Sequence, residues 1–201
     1  MHLQTWLLFL LTSIGMSLSP GPNALLALTH GALHGSKRTL FTIAGSLLGF
    51  VLIIAGCLFG IGALLESSAH WLTALKWLGG AYLVWLGIKL FSAPAISMDL
   101  AVSARGDAWS LFRQGLATGV TNPKGVLFFT ALLPQFLDPE RSLVTQFVFI
   151  AATYSATEFA VECGIAVGAT RLRPWLARSG RRFNRACGAV LVAIGAGLPA
   201  H

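Results

Sequence analysis

Glu158 and Glu162 are the residues of this chain best placed to do chemistry. They are four positions apart, so on a helix both carboxylates share one face. Both fall inside an apolar run, where an ionisable group is expensive and marks function by default. Like charges this close in a low dielectric oppose simultaneous ionisation. One of the pair can therefore carry a proton and release it when a cationic ammonium arrives. A carrier that exchanges protons for a substrate needs that chemistry, and each proton moved inward through 100 mV supplies about 2.3 kcal/mol. The bland alternative is a structural ion pair with Lys76 or Lys124.

Two proline breaks supply the other polar chemistry. Ser19-Pro20-Gly21-Pro22-Asn23 interrupts the uncharged run from Leu3 to Thr29, and Thr121-Asn122-Pro123-Lys124-Gly125 interrupts the run from Leu111 to Leu137. Ser19-Pro20 and Asn122-Pro123 each read as an N-cap followed by proline in the first helical turn. Each break would start a half-helix within the membrane, with unpaired N–H groups and a partial positive charge at its end. Such an end suits a carboxylate. Asn23 adds an amide, and Lys124 a cation, for the same group. One break alone would read as a simple kink. Two breaks in matching places of two half-chains are the expected mark of a secondary transporter built from repeats.

The elements that must position these residues are membrane helices. The chain of 201 residues is 55% hydrophobic and 10% charged, against about 25% charged in a soluble domain. Thr39 to Leu65 carries no charge, and about 20 apolar residues suffice to span a bilayer. The reading is all-α: a polytopic membrane protein with six transmembrane helices, at about 4–29, 39–65, 69–91, 110–137, 142–170 and 182–200. The net charge of +7 does not indicate nucleic acid, because the basic residues cluster in loops between apolar runs. Lys37, Arg38, Lys89, Arg105, Arg113, Arg171, Arg173, Arg178, Arg181, Arg182 and Arg185 fall on one side of a six-span arrangement, and Arg141 on the other. The positive-inside rule makes the first side cytoplasmic and places both termini outside. The Arg171–Arg185 loop would also favour anionic lipid heads.

An internal repeat is visible. Leu78 to Gly87 lies over Ala186 to Gly195 without a gap, and Pro22, Leu26 and Thr29 align with Pro123, Leu127 and Thr130. A three-span unit enters the membrane from opposite faces in its two copies. The expected organisation is therefore two inverted three-helix repeats, 1–91 and 108–201, joined by a cytoplasmic linker at 92–107, with the substrate site near the midplane between them.

Other candidates carry less. His30 and His34 have the i,i+4 spacing of a metal pair but no Cys or acidic ligand nearby, and they are placed at the cytoplasmic exit of the first span. Cys57, Cys163 and Cys187 lack CxxC spacing and read as small packing residues. Neither a metal nor another cofactor is expected. Gly45-xxx-Gly49, Gly56-xxx-Gly60, Gly115-xxx-Gly119 and Gly164-xxx-Gly168 permit close helix contact and could support a homodimer.

Ser19 to Asn23, Leu75 to Leu83 with Trp85-Leu86-Gly87, Asn122-Pro123-Lys124 and Leu133-Pro134-Gln135-Phe136 resemble, in combination and order, the lysine-exporter (LysE/RhtB-type) amino-acid efflux family. The resemblance runs over nearly the whole chain. It implies a multi-pass protein of the bacterial inner membrane that exports amino acids or close derivatives, of the homoserine, threonine and lysine class, driven by the proton gradient. Its partners would be a small amino-acid substrate, protons and membrane lipid. An acidic residue in the fifth span, as at Glu158, is common in that family, whereas Glu162 looks like a departure. A non-transporting assembly or sensor protein is the alternative, disfavoured by the lack of any soluble domain and by the cost of central carboxylates. An intramembrane enzyme is disfavoured further, since there is no HExxH and no serine in a GxSxG setting.

Overall fold

The computed structural model describes residues 3–19, 21–65 (the last five through the backbone), 106–138 and 140–169, with isolated positions between 77 and 92 and between 171 and 196. Among the described residues the continuous elements are all α-helical: α1 Leu3–Leu18, α2 Pro22–His34, α3 Ser36–Leu65, α4 Ala108–Val120, α5 Pro123–Phe136 and α6 Leu143–Val167. Both α3 and α6 are long and apolar enough to cross a bilayer, and α1 and α2 meet that length and composition together, as a pair bent by 55° at its break. The protein is a membrane protein. The expected spans 69–91 and 182–200, the linker 92–107 and the match of 78–87 with 186–195 lie outside the described residues, apart from the isolated positions.

Local sequence sets the element ends. Pro22 and Pro123 each occupy the first turn of a helix, where a missing N–H leaves no bond unmade. Gly35 separates α2 from α3 with φ +80°, a left-handed backbone that costs glycine little. Asp107 caps α4 by accepting from the Ser110 amide at 3.0 Å. The expected first and fourth spans are therefore each two helices, as the proline breaks implied.

Packing then assembles the bundle. The closest crossing is α3 on α4, where a Cβ added at Gly45 would overlap the Phe112 carbonyl and one at Gly115 would overlap that of Thr42. These two small-xxx-small rows bring backbones together. By contrast, Gly56, Gly60 and Gly164 have open space around their Cα atoms. Helix α6 packs against α1, α2 and α3. An aromatic cluster forms the core: Phe9 on Phe136 at 5.1 Å, Phe50 on Tyr154 at 5.2 Å and Phe129 on Tyr154 at 4.8 Å, all edge-on. Edge-to-face geometry sets the positive ring edge against a negative face.

Candidate functional site

The two breaks meet. Asn122 caps α5, its Oδ1 accepting from the Lys124 amide at 3.0 Å, while its Nδ2 donates to Asn23 Oδ1 at 2.8 Å. Both asparagines are buried. That bond uses the Asn23 oxygen and leaves its buried Nδ2 without a partner. A buried, unsatisfied amide donor costs about 1–3 kcal/mol, so it marks a position where an acceptor would be welcome.

Ser19 does not play the part expected of it. Its amide donates to the carbonyls of Gly15 and Met16 at 3.1 and 3.2 Å, which closes α1. The N-cap of α2 is Gly21, extended at φ −144° and without a side-chain cap bond. The physical reason is the second proline: Pro22 takes the first helical position, so the cap falls on the residue before it. The first amides of α2 thus lack the side-chain oxygen that Asn122 gives α5, and α2 presents the more open positive end. Pro20 lies outside the described residues.

Lys124 reaches back to the first break. Its Nζ donates to Met16 O at 2.7 Å and to Ser19 O. These carbonyls end α1, where the helix dipole is negative and a cation is favoured. The side chain crosses the break over Gly21, where an added Cβ would stand 3.3 Å from Lys124 Cδ. The lysine therefore straps α5 to the end of α1.

The carboxylate pair sits beside this strap. Glu158 and Glu162 on α6 are 5% and 1% exposed, and that burial makes them the least water-compensated charges in the described structure. Lys124 acts electrostatically on both, and Ser17 and Tyr154 bring hydroxyls to Glu158. Glu158 Oε2 and both oxygens of Glu162 have no hydrogen-bond partner. A buried ionised carboxylate without partners is strongly disfavoured, so the pair needs a proton or a cation. The structure thus gathers Asn23, Asn122, Lys124, Glu158 and Glu162, which sequence reading had singled out. Ser17 went unnoticed, because a hydroxyl in an apolar run carries no signal until a carboxylate is found opposite it, whereas Tyr154, one turn before Glu158 on the same helix, could have been found from its spacing.

His30 lies in the last turns of α2. It is fully buried, and its Nδ1 lies 2.7 Å from Thr42 Oγ1 on α3. Its ring centroid is 5.5 Å from that of His34. No cluster of His, Cys, Asp and Glu suited to a metal exists among the described residues.

A bent helix pair, a second proline break joined to it, and buried carboxylates characterise this polytopic membrane protein. The chain belongs to the LysE type translocator family, whose pattern it matches over residues 14–200; members of this family are transporters and not enzymes. It is 33% identical over 201 residues to a homoserine/homoserine lactone efflux protein of Salmonella typhimurium, covering 98% of this chain and 96% of that protein. An uncharacterized membrane protein of Vibrio cholerae is 32% identical over 197 residues, 97% of this chain and 96% of its own. A leucine efflux protein of Klebsiella pneumoniae is 28% identical over 156 residues, 77% and 74% of the two chains. No solved structure matches the chain.

Proposed function

We propose that this translocator exports amino acids or close derivatives, of the homoserine, threonine and lysine class, from the bacterial cytoplasm across the inner membrane by proton antiport. One observation carries the reading: two buried carboxylates with unpartnered oxygens lie beside the joined proline breaks. The substrate ammonium goes to the Glu158–Glu162 pair and displaces a proton. Its acyl oxygen goes to the free Asn23 amide and the open end of α2, formed by Gly21, Pro22 and Asn23. Asn122 and Pro123 hold that end in place from α5, while Ser19 and Lys124 hold it from the end of α1.

The names of the relatives fit this division. Homoserine, its lactone and leucine, which those relatives are named for exporting, share an ammonium and an acyl oxygen, but the lactone has no free carboxylate. A site built on a carboxylate pair and a neutral amide accepts all three, whereas one built on a lysine–carboxylate ion pair would reject the lactone. Lys124, held by carbonyls, suits the first arrangement.

The halves 1–91 and 108–201, joined by 92–107, act in this reading as inverted repeats that rock about the site, with both termini outside. Support comes from the paired helix starts at Pro22 and Pro123 and from a matched local bond. Thr29 Oγ1 donates to Leu25 O at 2.8 Å, and Thr130 Oγ1 to Val126 O at 2.7 Å. The test is efflux of radiolabelled homoserine from proteoliposomes under an imposed pH gradient. Gradient-driven efflux should vanish in Glu158→Gln while the variant remains monodisperse. Undiminished coupled efflux in that variant would remove Glu158 from the mechanism.

A further inference from the structure

We infer that Ser13 and Ser17 on α1 form the side-chain subsite of this carrier, selecting amino acids whose side chain bears an uncharged oxygen over apolar ones of similar length. The inference rests on the efflux reading above. It deepens that reading by assigning the part of the substrate that the carboxylates and Asn23 leave over.

The two serines stand four positions apart on α1, so their side chains share one face, with Cβ atoms about 5–6 Å apart. That face is turned inward: Ser13 is 0% exposed and Ser17 3%. Two ties locate it. Trp6 Nε1 donates to Thr153 Oγ1 at 3.1 Å, which holds the start of α1 against α6. Lys124 Nζ donates to Met16 O at 2.7 Å and to Ser19 O, which holds the end of α1 at the joined breaks. Ser13 lies between these ties, and Ser17 lies between the two carbonyls that receive the ammonium.

Their hydroxyls are used unlike others in the chain. A hydroxyl on a helix commonly donates to the carbonyl four residues back. Thr12, Thr29, Thr39, Thr121 and Thr130 all do so, at 2.6 to 2.9 Å. Ser13 and Ser17 do not: among the described residues, both Oγ atoms are buried without a partner. Ser17 comes near Glu158, yet Ser17 Oγ and Glu158 Oε2 each stay unpartnered. A buried hydroxyl left unbonded is costly. Two of them one turn apart on one face point to a shared ligand. Asn23 Nδ2, at the start of α2, is buried and unpartnered as well.

A hydroxyl both donates and accepts. An oxygen set between Ser13 and Ser17, about 2.7–2.8 Å from each, can therefore bond both. In the reading above the substrate ammonium takes the Glu158–Glu162 pair and its acyl oxygen takes Asn23, so the side chain remains. Helix α1 carries no charged residue, and its serine row suits a neutral hydroxyl or ring oxygen. A methyl group in the same place gains no bond. Both Oγ atoms are shut off from water, so the row opens to substrate when α1 parts from α6 during the rocking of the halves.

Homoserine and α-aminobutyrate share one carbon chain and differ by the side-chain hydroxyl. Proteoliposomes loaded with both, under different radiolabels, report the ratio of their initial efflux rates from the same vesicles, so protein amount and gradient cancel. The wild type should favour homoserine by about tenfold. Ser13→Ala and Ser17→Ala should each cut that ratio by about threefold. The double variant should bring it to about one, through slower homoserine and unchanged α-aminobutyrate. Ser46→Ala removes another buried, unpartnered hydroxyl, on α3 where it crosses α4, and should keep the wild-type ratio. If the double variant does not stay monodisperse, the single variants decide. A wild type without preference, or a preference kept in the Ser13 and Ser17 variants, overturns the inference. Equal slowing of both amino acids, or the same fall in Ser46→Ala, overturns it too and leaves efflux standing. A wild type that moves neither amino acid removes the efflux reading itself, and this inference with it.

Discussion

Asn122 Nδ2 donates to Asn23 Oδ1 at 2.8 Å, joining two helix starts that are 99 residues apart in the chain. The bond fixes which asparagine atoms remain for a substrate: Asn122 is committed to its cap and its neighbour, while Asn23 keeps a free donor. Asn122→Ala should remove both the cap, typically worth about 1 kcal/mol, and the inter-helix bond. A double-mutant cycle with Asn23→Ala should show a coupling energy of about 0.5–3 kcal/mol, measured as apparent stability in detergent. Strictly additive effects would mean that the two breaks are energetically independent.

Gly45 and Gly115 should tolerate no side chain. Each would set a Cβ on a backbone carbonyl of the facing helix, and backbone cannot rotate away as a side chain can. Gly45→Val and Gly115→Val should each cost about 1–3 kcal/mol or prevent folding, seen as a lowered melting temperature in detergent. Gly56→Ala and Gly164→Ala, which meet open space, are the matched controls and should leave it nearly unchanged.

Gln146 is a structural residue with no obvious sequence signature. Its Oε1 accepts from the Asp138 amide at 2.8 Å, and its Nε2 donates to the carbonyls of Asp138 and Arg141 at 3.0 and 3.1 Å. It closes the turn between α5 and α6, beside the Arg141–Asp138 ion pair. Gln146→Leu should destabilise by about 1–3 kcal/mol through unmade backbone bonds. The exposed ion pair should matter less, with Arg141→Ala costing about 0–1 kcal/mol. Thermal melts of the two variants side by side check that ranking.

Thr42→Val should free the buried His30 Nδ1 from its hydroxyl partner. The expected penalty is about 1–3 kcal/mol, read from the same melts. Thr42→Ser, which keeps the hydroxyl, should recover most of it. A loss in Thr42→Ser as large as that in Thr42→Val would mean that packing of the methyl group matters as much as the hydroxyl bond.

Much of this molecule was legible in its residues. Proline at 22 and 123 and uncharged runs between basic loops announced interrupted membrane helices, because proline lacks an amide and hydrocarbon offers no substitute partner. Glu158 and Glu162 stood out for the same reason, since a charge inside an apolar run needs an explanation. The cap of α2 was read two residues too early, at Ser19 instead of Gly21: two prolines were present, and local rules do not say which one begins the helix.

Pattern and composition thus determined that the chain crosses a membrane, where its helices break, and which carboxylates are out of place. They could do so because hydrophobicity, proline and charge act locally along the chain. Only the tertiary structure decided that Asn122 reaches Asn23, that the Lys124 ammonium lies on the carbonyls ending α1, and that Ser17 comes near Glu158. Those pairings depend on close approach of helices remote in sequence, and the crossings that bring them together are set by packing, as at Gly45 and Gly115, over the whole bundle.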